Sequence, residues 1–195
     1  MALIAGIDYG SKLAGTTVLA LLEGAEVKLF QSLKKQDADA MLLEKLNHFK
    51  PVYVMLDAPL SLPGVIQKLS QFEDYFYRKA DKELQAMSPM FLGGLTARAM
   101  KLSQQLSQIE VPVYETYPKL VADIIGLKSH YNKAQKGDVS YFLELVADKF
   151  SLKIDFNIAN TWHHADAILA LIAGIRFRDQ QIKCVGDERE GLIWI

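Results

Sequence analysis

The residues Leu3-Ile4-Ala5-Gly6-Ile7-Asp8 form a nearly continuous apolar run that ends at an acid. Such a run is typical of a strand that is covered on both faces of a sheet. Because no basic residues precede the run and it is short, it does not resemble a secretory signal peptide. We interpret it as the first strand of a buried sheet, with Asp8 at its end.

Two further strands are expected directly after the first. Gly10 and Gly15 bracket a polar loop, and residues 16–22 are rich in strand-forming side chains. Apolar and polar residues alternate over residues 26–33, which is the pattern of a third strand. These patterns predict an antiparallel meander of three strands.

A helix and a fourth strand follow the meander. Residues 37–49 carry apolar side chains near helical spacing, and either Asp37 or Asp39 could cap the helix. Residues 52–56 form another short apolar run, which ends at Asp57. Three strands followed by a helical crossover to a fourth predict an α/β protein with a mixed sheet.

The rest of the chain adds helices and two more strands. Residues 61–110 have helical character, with helices expected at 73–87 and 95–109, and we interpret the block as an insertion between strands. A strand over 111–115 then ends at Glu115. We place the last long helices at 138–150 and 161–177, and a short final strand at 192–195.

Composition limits the class of protein. The 195 residues are 50% hydrophobic and 23% charged, which predicts one folded domain over residues 1–195. A net charge of −1 excludes a generally polycationic nucleic-acid coat, although a local basic groove stays possible. The single cysteine excludes cysteine zinc fingers and suits a reducing compartment, and there is no apolar run long enough to span a membrane. We therefore expect a cytoplasmic protein.

Four acids lie at positions where burial of a carboxylate would cost free energy. Asp8, Asp57 and Glu115 end apolar strands, and Asp166 opens a helix that is apolar nearly all round. Any one such acid is more often a turn or cap residue. Because ligands collect beyond the carboxyl ends of parallel strands, however, we expect these acids to meet in one cleft.

Clustered carboxylates repel one another, and a divalent cation relieves that repulsion. Mg²⁺ and Mn²⁺ prefer oxygen ligands, so three or four carboxylates are enough to bind them. Two such ions, about 3.5–4 Å apart, can activate a water and stabilise the leaving oxygen of a phosphodiester. The sequence therefore predicts a catalytic site of Asp8, Asp57, Glu115 and Asp166 that binds Mg²⁺ or Mn²⁺ as two ions.

Six motifs follow one another between Ala5 and Trp194. They are Gly6-Ile7-Asp8-Tyr9-Gly10-Ser11-Lys12-Leu13-Ala14-Gly15, Leu56-Asp57-Ala58-Pro59-Leu60-Ser61, Arg78-Lys79-Ala80-Asp81, Tyr114-Glu115-Thr116-Tyr117-Pro118, His163-His164-Ala165-Asp166-Ala167 and Glu190-Gly191-Leu192-Ile193-Trp194. The first resembles the first-hairpin motif of ribonuclease H-like proteins. In this order the six resemble domain-of-unknown-function family 429, a family of predicted nucleases with a ribonuclease H-like fold.

The resemblance implies a five-stranded mixed sheet with flanking helices and an acidic centre comparable to that of Holliday-junction resolvases. It implies Asp8 as the first-strand acid, Asp166 as the final-helix acid, and Asp57, Glu115 or both as the middle acid. Resolvase-like enzymes often carry two acids one turn apart in the last helix. Here His163 lies three residues before Asp166 and could replace the second acid as a ligand or general base.

A nucleic-acid substrate needs cationic contacts besides the metal. Lys12 lies near Asp8, Arg78 and Arg98 lie in the helical insertion, and Lys119 begins a lysine-rich stretch that runs to Lys136. We predict Lys12, Arg78, Arg98 and Lys119 as substrate-binding residues. The alternative is that the lysine-rich stretch is a solvated loop and that Arg78 pairs within its own helix.

Three functions are compatible with these features. The leading hypothesis is a metal-dependent nuclease or other phosphodiesterase. The second is a nucleotide-binding phosphotransferase of the actin and sugar-kinase type, although a single domain of this size is half of such an enzyme. The third is a non-catalytic binding protein on a decayed nuclease fold. The near-neutral charge and the missing second acid of the last helix favour this third function, whereas the combination of four acids favours the first.

Overall fold

The computed structural model of the protein describes residues 3–133 and 138–195. Strands and helices alternate in the order expected of an α/β protein. In chain order the elements are β1 (Ile4–Asp8), β2 (Val18–Glu23), β3 (Glu26–Gln31), α1 (Ala38–Phe49), β4 (Val54–Asp57), α2 (Lys79–Leu84), α3 (Pro89–Leu92), α4 (Gly94–Ser107), β5 (Val113–Thr116), α5 (Pro118–Ile124), α6 (Val139–Phe150), β6 (Lys153–Ile154), α7 (Trp162–Arg178), β7 (Cys184–Asp187) and β8 (Gly191–Trp194).

The strands of the described residues form one mixed sheet in the order β6-β3-β2-β1-β4-β5-β8-β7. The meander β1-β2-β3 and the hairpin β7-β8 are antiparallel, whereas β1-β4, β4-β5 and β5-β8 are parallel. The mixed sheet and its three-strand meander are confirmed. The sheet is wider than the predicted five strands because β6 and the β7–β8 hairpin extend its two edges.

The resemblance implies five strands and the sequence patterns predict six, with β8 as the sixth, so β6 and β7 are the strands that were not predicted. β6 has two residues, which is too short for any period to appear. β7 combines an exposed cysteine with a glycine and an aspartate, residue types that strands usually avoid. Only β8, predicted over 192–195, had a recognisable apolar pattern.

Each face of the sheet packs against its own helices. On one face, Ile4 of β1 and Met55 of β4 belong to the core that contains α6 and α7. On the other face, Ile7 and Leu56 belong to the core that contains α1 and α4. Successive side chains of a strand therefore alternate between two helical layers.

Helix α7 lies directly on β1, and Gly6 makes this possible. A Cβ atom at Gly6 would lie 2.1 Å from the Leu171 nitrogen and 2.5 Å from the Ala167 oxygen, far inside normal contact distance. The missing side chain thus lets the helix backbone approach the strand. Although α7 is largely buried over its 17 residues, no helix in the described part of the chain is both long and apolar enough to cross a bilayer.

Aspartates cap two helices whose starts were predicted. The Asp37 carboxylate accepts hydrogen bonds from the backbone N–H groups of Asp39 and Ala40, at 2.9 and 3.3 Å. Asp138 does the same at the start of α6. Each carboxylate satisfies N–H groups that have no partner within the helix.

The block between β4 and β5 contains α2, α3 and α4, but the helix expected over 73–87 is wrong in extent. The Asp74 carboxylate accepts hydrogen bonds from the N–H groups of Phe76 (2.8 Å) and Tyr77 (2.9 Å). This local turn competes with a helix, so α2 begins only at Lys79. Helix α5, which begins at Pro118, was not predicted.

Candidate active site

The parallel pairing of β1 and β4 brings the first two acids together. Asp8 lies directly opposite Asp57 in the register of the two strands, and both are the last residues of their strands. Directly opposed residues of neighbouring strands project from the same face. Both carboxylates therefore lie at the carboxyl edge of the sheet on the face covered by α7.

Helix α7 supplies the third acid. Asp166 lies in the first turns of α7, directly before Ala167 and one turn before Ala170, both of which pack against Gly6. One oxygen each from Asp8, Asp57 and Asp166 lies within 4.8 Å of the others. The three aspartates come from three elements, and the close contact of β1 with α7 brings them together.

Burial and mutual repulsion destabilise the charged forms of these carboxylates. Burial, followed by the charges of Asp166 and Asp8, raises the pKa of Asp57 well above its usual value. Burial also raises the pKa of Asp166, although Lys133 opposes the shift. Within the described residues, neither a hydrogen bond nor an ion pair reaches the Asp57 side chain. The cluster thus carries more negative charge than its surroundings neutralise.

Two neighbouring groups make direct contacts with the outer aspartates. His163 Nδ1 lies 2.7 Å from Asp8 Oδ2, and this hydrogen bond raises the pKa of the imidazole. The Tyr131 hydroxyl donates to Asp166 at 2.6 Å, and the Lys133 ammonium forms an ion pair with the same carboxylate. His163, one turn before Asp166, therefore lies beside the aspartate cluster.

Tyr131 and Lys133 were not predicted as site residues. Lys133 was recognised only as one cation of the lysine-rich stretch, and the last lysine of that stretch, Lys136, lies outside the described residues. Tyr131 had no sequence signal, because an isolated tyrosine in a loop is usually a packing residue. The fold brings both residues to Asp166, and only this proximity distinguishes them.

Glu115 lies near the aspartates but does not join their cluster. In the register of β4 and β5 it is opposite Leu56, whose side chain faces the α1 and α4 layer. Its two oxygens accept hydrogen bonds from Arg78 at 2.6 and 2.7 Å, and one also accepts from the Leu60 N–H at 2.9 Å. Four acids were expected to lie together, and the structure brings three of them together.

Arg78 was predicted to bind substrate, and the structure gives it a different environment. Its side chain is fully buried and pairs with both Asp81 and Glu115, with a further hydrogen bond to Ser61. A guanidinium that is enclosed by two carboxylates has no surface for a phosphate. Arg78 is instead part of an internal ion-pair network that holds α2 to β5.

The other predicted cations are differently placed. Arg98 pairs with Asp39, also donates to the Gly10 carbonyl, and is partly buried. Lys12 is half exposed and pairs with Asp37. Lys119 is exposed and lines a cavity that Asp57 also lines. Of the four predicted cations, Lys119 therefore shares a cavity with an aspartate of the cluster, whereas Lys12, Arg78 and Arg98 do not.

Two cavities adjoin the aspartate cluster, one on each side of Asp57 and Tyr117. The first, which we call the apolar cavity because most of its other walls are apolar, has a volume of about 370 Å³ and is also lined by the acids Asp8, Asp57, Asp81 and Glu115. Its walls include Pro59, Ala86, Met87, Leu92, Leu95 and Tyr117. The second, which we call the lysine cavity, has a volume of about 420 Å³ and includes Lys119, Tyr131 and Lys133.

Comparison with known proteins supports the fold. No family model matches the chain, and no curated protein matches it. Among solved structures, the chain is similar to the yeast mitochondrial Holliday junction resolvase Ydc2, with a TM-score of 0.50 and 12% sequence identity. The similarity covers 91% of this chain and 79% of the resolvase. The protein therefore has a mixed α/β fold of the ribonuclease H-like type, shared with a resolvase.

Proposed function

We propose that the protein is a divalent-metal-dependent phosphodiesterase, and specifically a nuclease. The observation that carries the proposal is the group of three aspartates whose oxygens lie within 4.8 Å of one another. Because they come from β1, β4 and α7, no local turn or cap explains their meeting. The fold shared with a Holliday junction resolvase supports the same proposal.

The donor set fits a hard divalent cation. Three carboxylates offer the oxygen ligands that Mg²⁺ and Mn²⁺ prefer, and burial raises the pKa of Asp57 and Asp166, so a cation would offset an existing cost. Asp8, Asp57 and Asp166 would hold the metal, for which we expect two ions. When bound, Mg²⁺ or Mn²⁺ would supply stabilisation of negative charge at a phosphodiester.

The surrounding side chains take supporting roles in this proposal. His163 holds the Asp8 carboxylate, and nearly half of its side chain is exposed, so it can also serve as a further ligand or a general base. Tyr131 fixes the orientation of Asp166. Lys119 and Lys133 would bind the substrate's phosphates. We assign Glu115 a structural role, because Arg78 and the Leu60 N–H occupy its oxygens.

The proposal is tested by a cleavage assay on single-stranded and duplex DNA and RNA, with Mg²⁺, Mn²⁺ or EDTA. We expect cleavage only with a divalent cation, and a loss of roughly 100-fold or more in Asp8→Asn. Asp123→Asn is the matched control, since Asp123 lies on α5 and pairs with the exposed Lys128. Metal-dependent cleavage that persists in Asp8→Asn would contradict the assignment.

Metal binding is measured separately by calorimetric titration with Mn²⁺. We expect binding to the wild-type protein and to Asp123→Asn, and much weaker binding to Asp8→Asn. A protein that binds no Mn²⁺ while retaining its fold would instead favour the non-catalytic alternative. The same titration gives the number of ions per chain.

The phosphotransferase alternative has less support. A phosphate cradle in the β1–β2 hairpin needs free backbone N–H groups. Here the Gly10 N–H donates to the Thr17 hydroxyl at 3.1 Å, and the Ala14 N–H donates to the Ser11 carbonyl at 3.4 Å. Titration with Mg-ATP tests this alternative, and tight binding would favour it.

Three further expectations remain part of the proposal. We infer membership of domain-of-unknown-function family 429 from the motifs of the sequence, a single domain with a helical insertion near residues 61–110, and a cytoplasmic location. The single exposed cysteine suits a reducing compartment. Fractionation of cells that express the tagged chain tests the location.

A further inference from the structure

We infer that the apolar cavity receives the base of an unpaired nucleotide, so that the substrate class is single-stranded, bulged or otherwise unpaired nucleic acid. The inference rests on the proposed nuclease function and adds the form of substrate to it. It is carried by the different chemistry of the two cavities beside the aspartate cluster, both of which Asp57 lines.

The chemical difference between the two cavities matches the difference between the base and the phosphate of a nucleotide. Within the described residues, no lysine or arginine lines the apolar cavity, whereas Lys119 and Lys133 line the other. A nucleotide likewise joins an apolar, flat base to an anionic phosphate. With the phosphate beside the lysines and the aspartates, the attached base would lie on the apolar side.

The apolar cavity has suitable walls for a base. Met87, Leu92 and Leu95 come from the helical insertion, and Tyr117 directly follows β5. Base–aromatic stacking contributes about 1–3 kcal/mol per base and tolerates every base, because each base has a π-face. The volume of about 370 Å³ lies within the range of small-molecule sites, about 300–1,000 Å³.

A base that is paired and stacked within a duplex cannot enter a concave cavity. It must leave the stack, and the free-energy cost of unstacking is least where the base has no partner. A fully paired duplex therefore offers only its phosphates to this protein. Unpaired nucleotides offer both the base and the phosphate, which is why we expect them to be preferred.

The test measures binding by fluorescence anisotropy in Ca²⁺, a cation that also binds carboxylate oxygens. The probes are one duplex with a single bulged adenine, the same duplex with an abasic residue at the bulge, and the fully paired duplex. We expect the bulged adenine to bind roughly 5- to 100-fold more tightly than the other two. Equal binding of all three probes would overturn the inference.

Filling the cavity should remove this preference. Met87→Trp places a large side chain in the wall, and because Met87 is 61% exposed the protein should still fold. Met90→Trp is the matched control, since Met90 is also exposed but lies outside the cavity. Leu92→Phe is a second filling variant. A preference that survives in both filling variants would overturn the inference.

Cleavage of the same three duplexes in Mn²⁺ separates this inference from the proposed function. If Mn²⁺-dependent cleavage occurs without preference for the bulged adenine, the inference fails and the nuclease proposal stands. If no cleavage occurs but the bulged adenine is bound with a preference that Met87→Trp removes, the base site stands and the nuclease proposal fails.

Discussion

The four acids that were predicted to form the site lie in two different environments, and strand register explains the difference. Asp57 lies opposite Asp8, whereas Glu115 lies opposite Leu56. An offset of one residue moves a side chain to the other face of a sheet. Asp8 and Asp57 consequently face Asp166, and Glu115 faces Arg78 and the inserted helices.

The Asp57 carboxylate should cost stability in the absence of a cation. Because burial and the charges of Asp166 and Asp8 raise its pKa, the folded state disfavours its ionised form. We expect Asp57→Asn to stabilise the protein in EDTA by about 1 kcal/mol, or about 2–4 °C in Tm. Thermal unfolding followed by circular dichroism measures this.

Excess Mn²⁺ provides the control for this variant. A ligand that binds only the folded state raises the Tm. The wild-type protein should therefore gain stability with Mn²⁺, whereas Asp57→Asn should gain little. A lower Tm of Asp57→Asn in EDTA would show that the charge is stabilised by its surroundings.

Arg78 should be among the most sensitive positions for stability. It is fully buried between Asp81 and Glu115, so Arg78→Met would leave both carboxylates without their partner. We expect a loss of about 3–5 kcal/mol in the free energy of unfolding, measured in urea. Arg189→Met, which breaks an exposed pair with Asp187, should change stability little. Similar losses in both variants would contradict the prediction.

At the scale of elements, the sequence predicted strands and long helices better than short ones. The starts of α1 and α6 follow from their capping aspartates and their apolar period. The prediction over 73–87 was too long because the turn at Asp74 takes N–H groups that a helix would use. Helix α5 and strand β6 are too short to show a period.

The contact between β1 and α7 is the element pair on which the aspartate cluster depends. A Cβ atom at Gly6 would overlap the backbone of α7, so Gly6→Ala must displace the helix that carries Asp166. We expect a loss of about 1–3 kcal/mol or more in stability, and weaker Mn²⁺ binding. Urea unfolding and calorimetric titration measure the two effects.

Gly94→Ala is the control for this variant. A Cβ atom there meets nothing within 4 Å, and Gly94 opens α4, where alanine is favoured. Stability and Mn²⁺ affinity should both be unchanged or slightly improved. If Gly6→Ala kept the wild-type Mn²⁺ affinity, the packing of α7 on β1 would not control the cluster.

At the scale of the whole molecule, polar contacts join the insertion to two separate parts of the sheet, the β7–β8 hairpin and β5. The buried Glu190, between β7 and β8, accepts hydrogen bonds from the N–H groups of Gly64 (2.7 Å) and Lys79 (2.6 Å). The insertion is therefore attached both to β5, through Arg78, and to the C-terminal hairpin. These contacts predict that the insertion and the sheet unfold together.

Two tryptophans allow this prediction to be tested. Trp162 begins α7 and packs near Tyr131 and Phe142, whereas Trp194 lies at the end of β8. In urea, the fluorescence of Trp162→Phe and of Trp194→Phe should each change at the same midpoint as the far-ultraviolet circular dichroism of that variant. Separate midpoints would contradict the proposed single domain.

The sequence by itself determined the α/β class, the central strands, the long helices and the candidate acids, because these depend on local periods and on residue chemistry. The prediction of His163 as a ligand or general base likewise rests on its position one turn before Asp166. Only the tertiary structure decided which acids meet, since strand register and the packing of α7 on Gly6 are long-range properties. Those contacts also separated Glu115 from the aspartates and brought Tyr131 and Lys133 to Asp166.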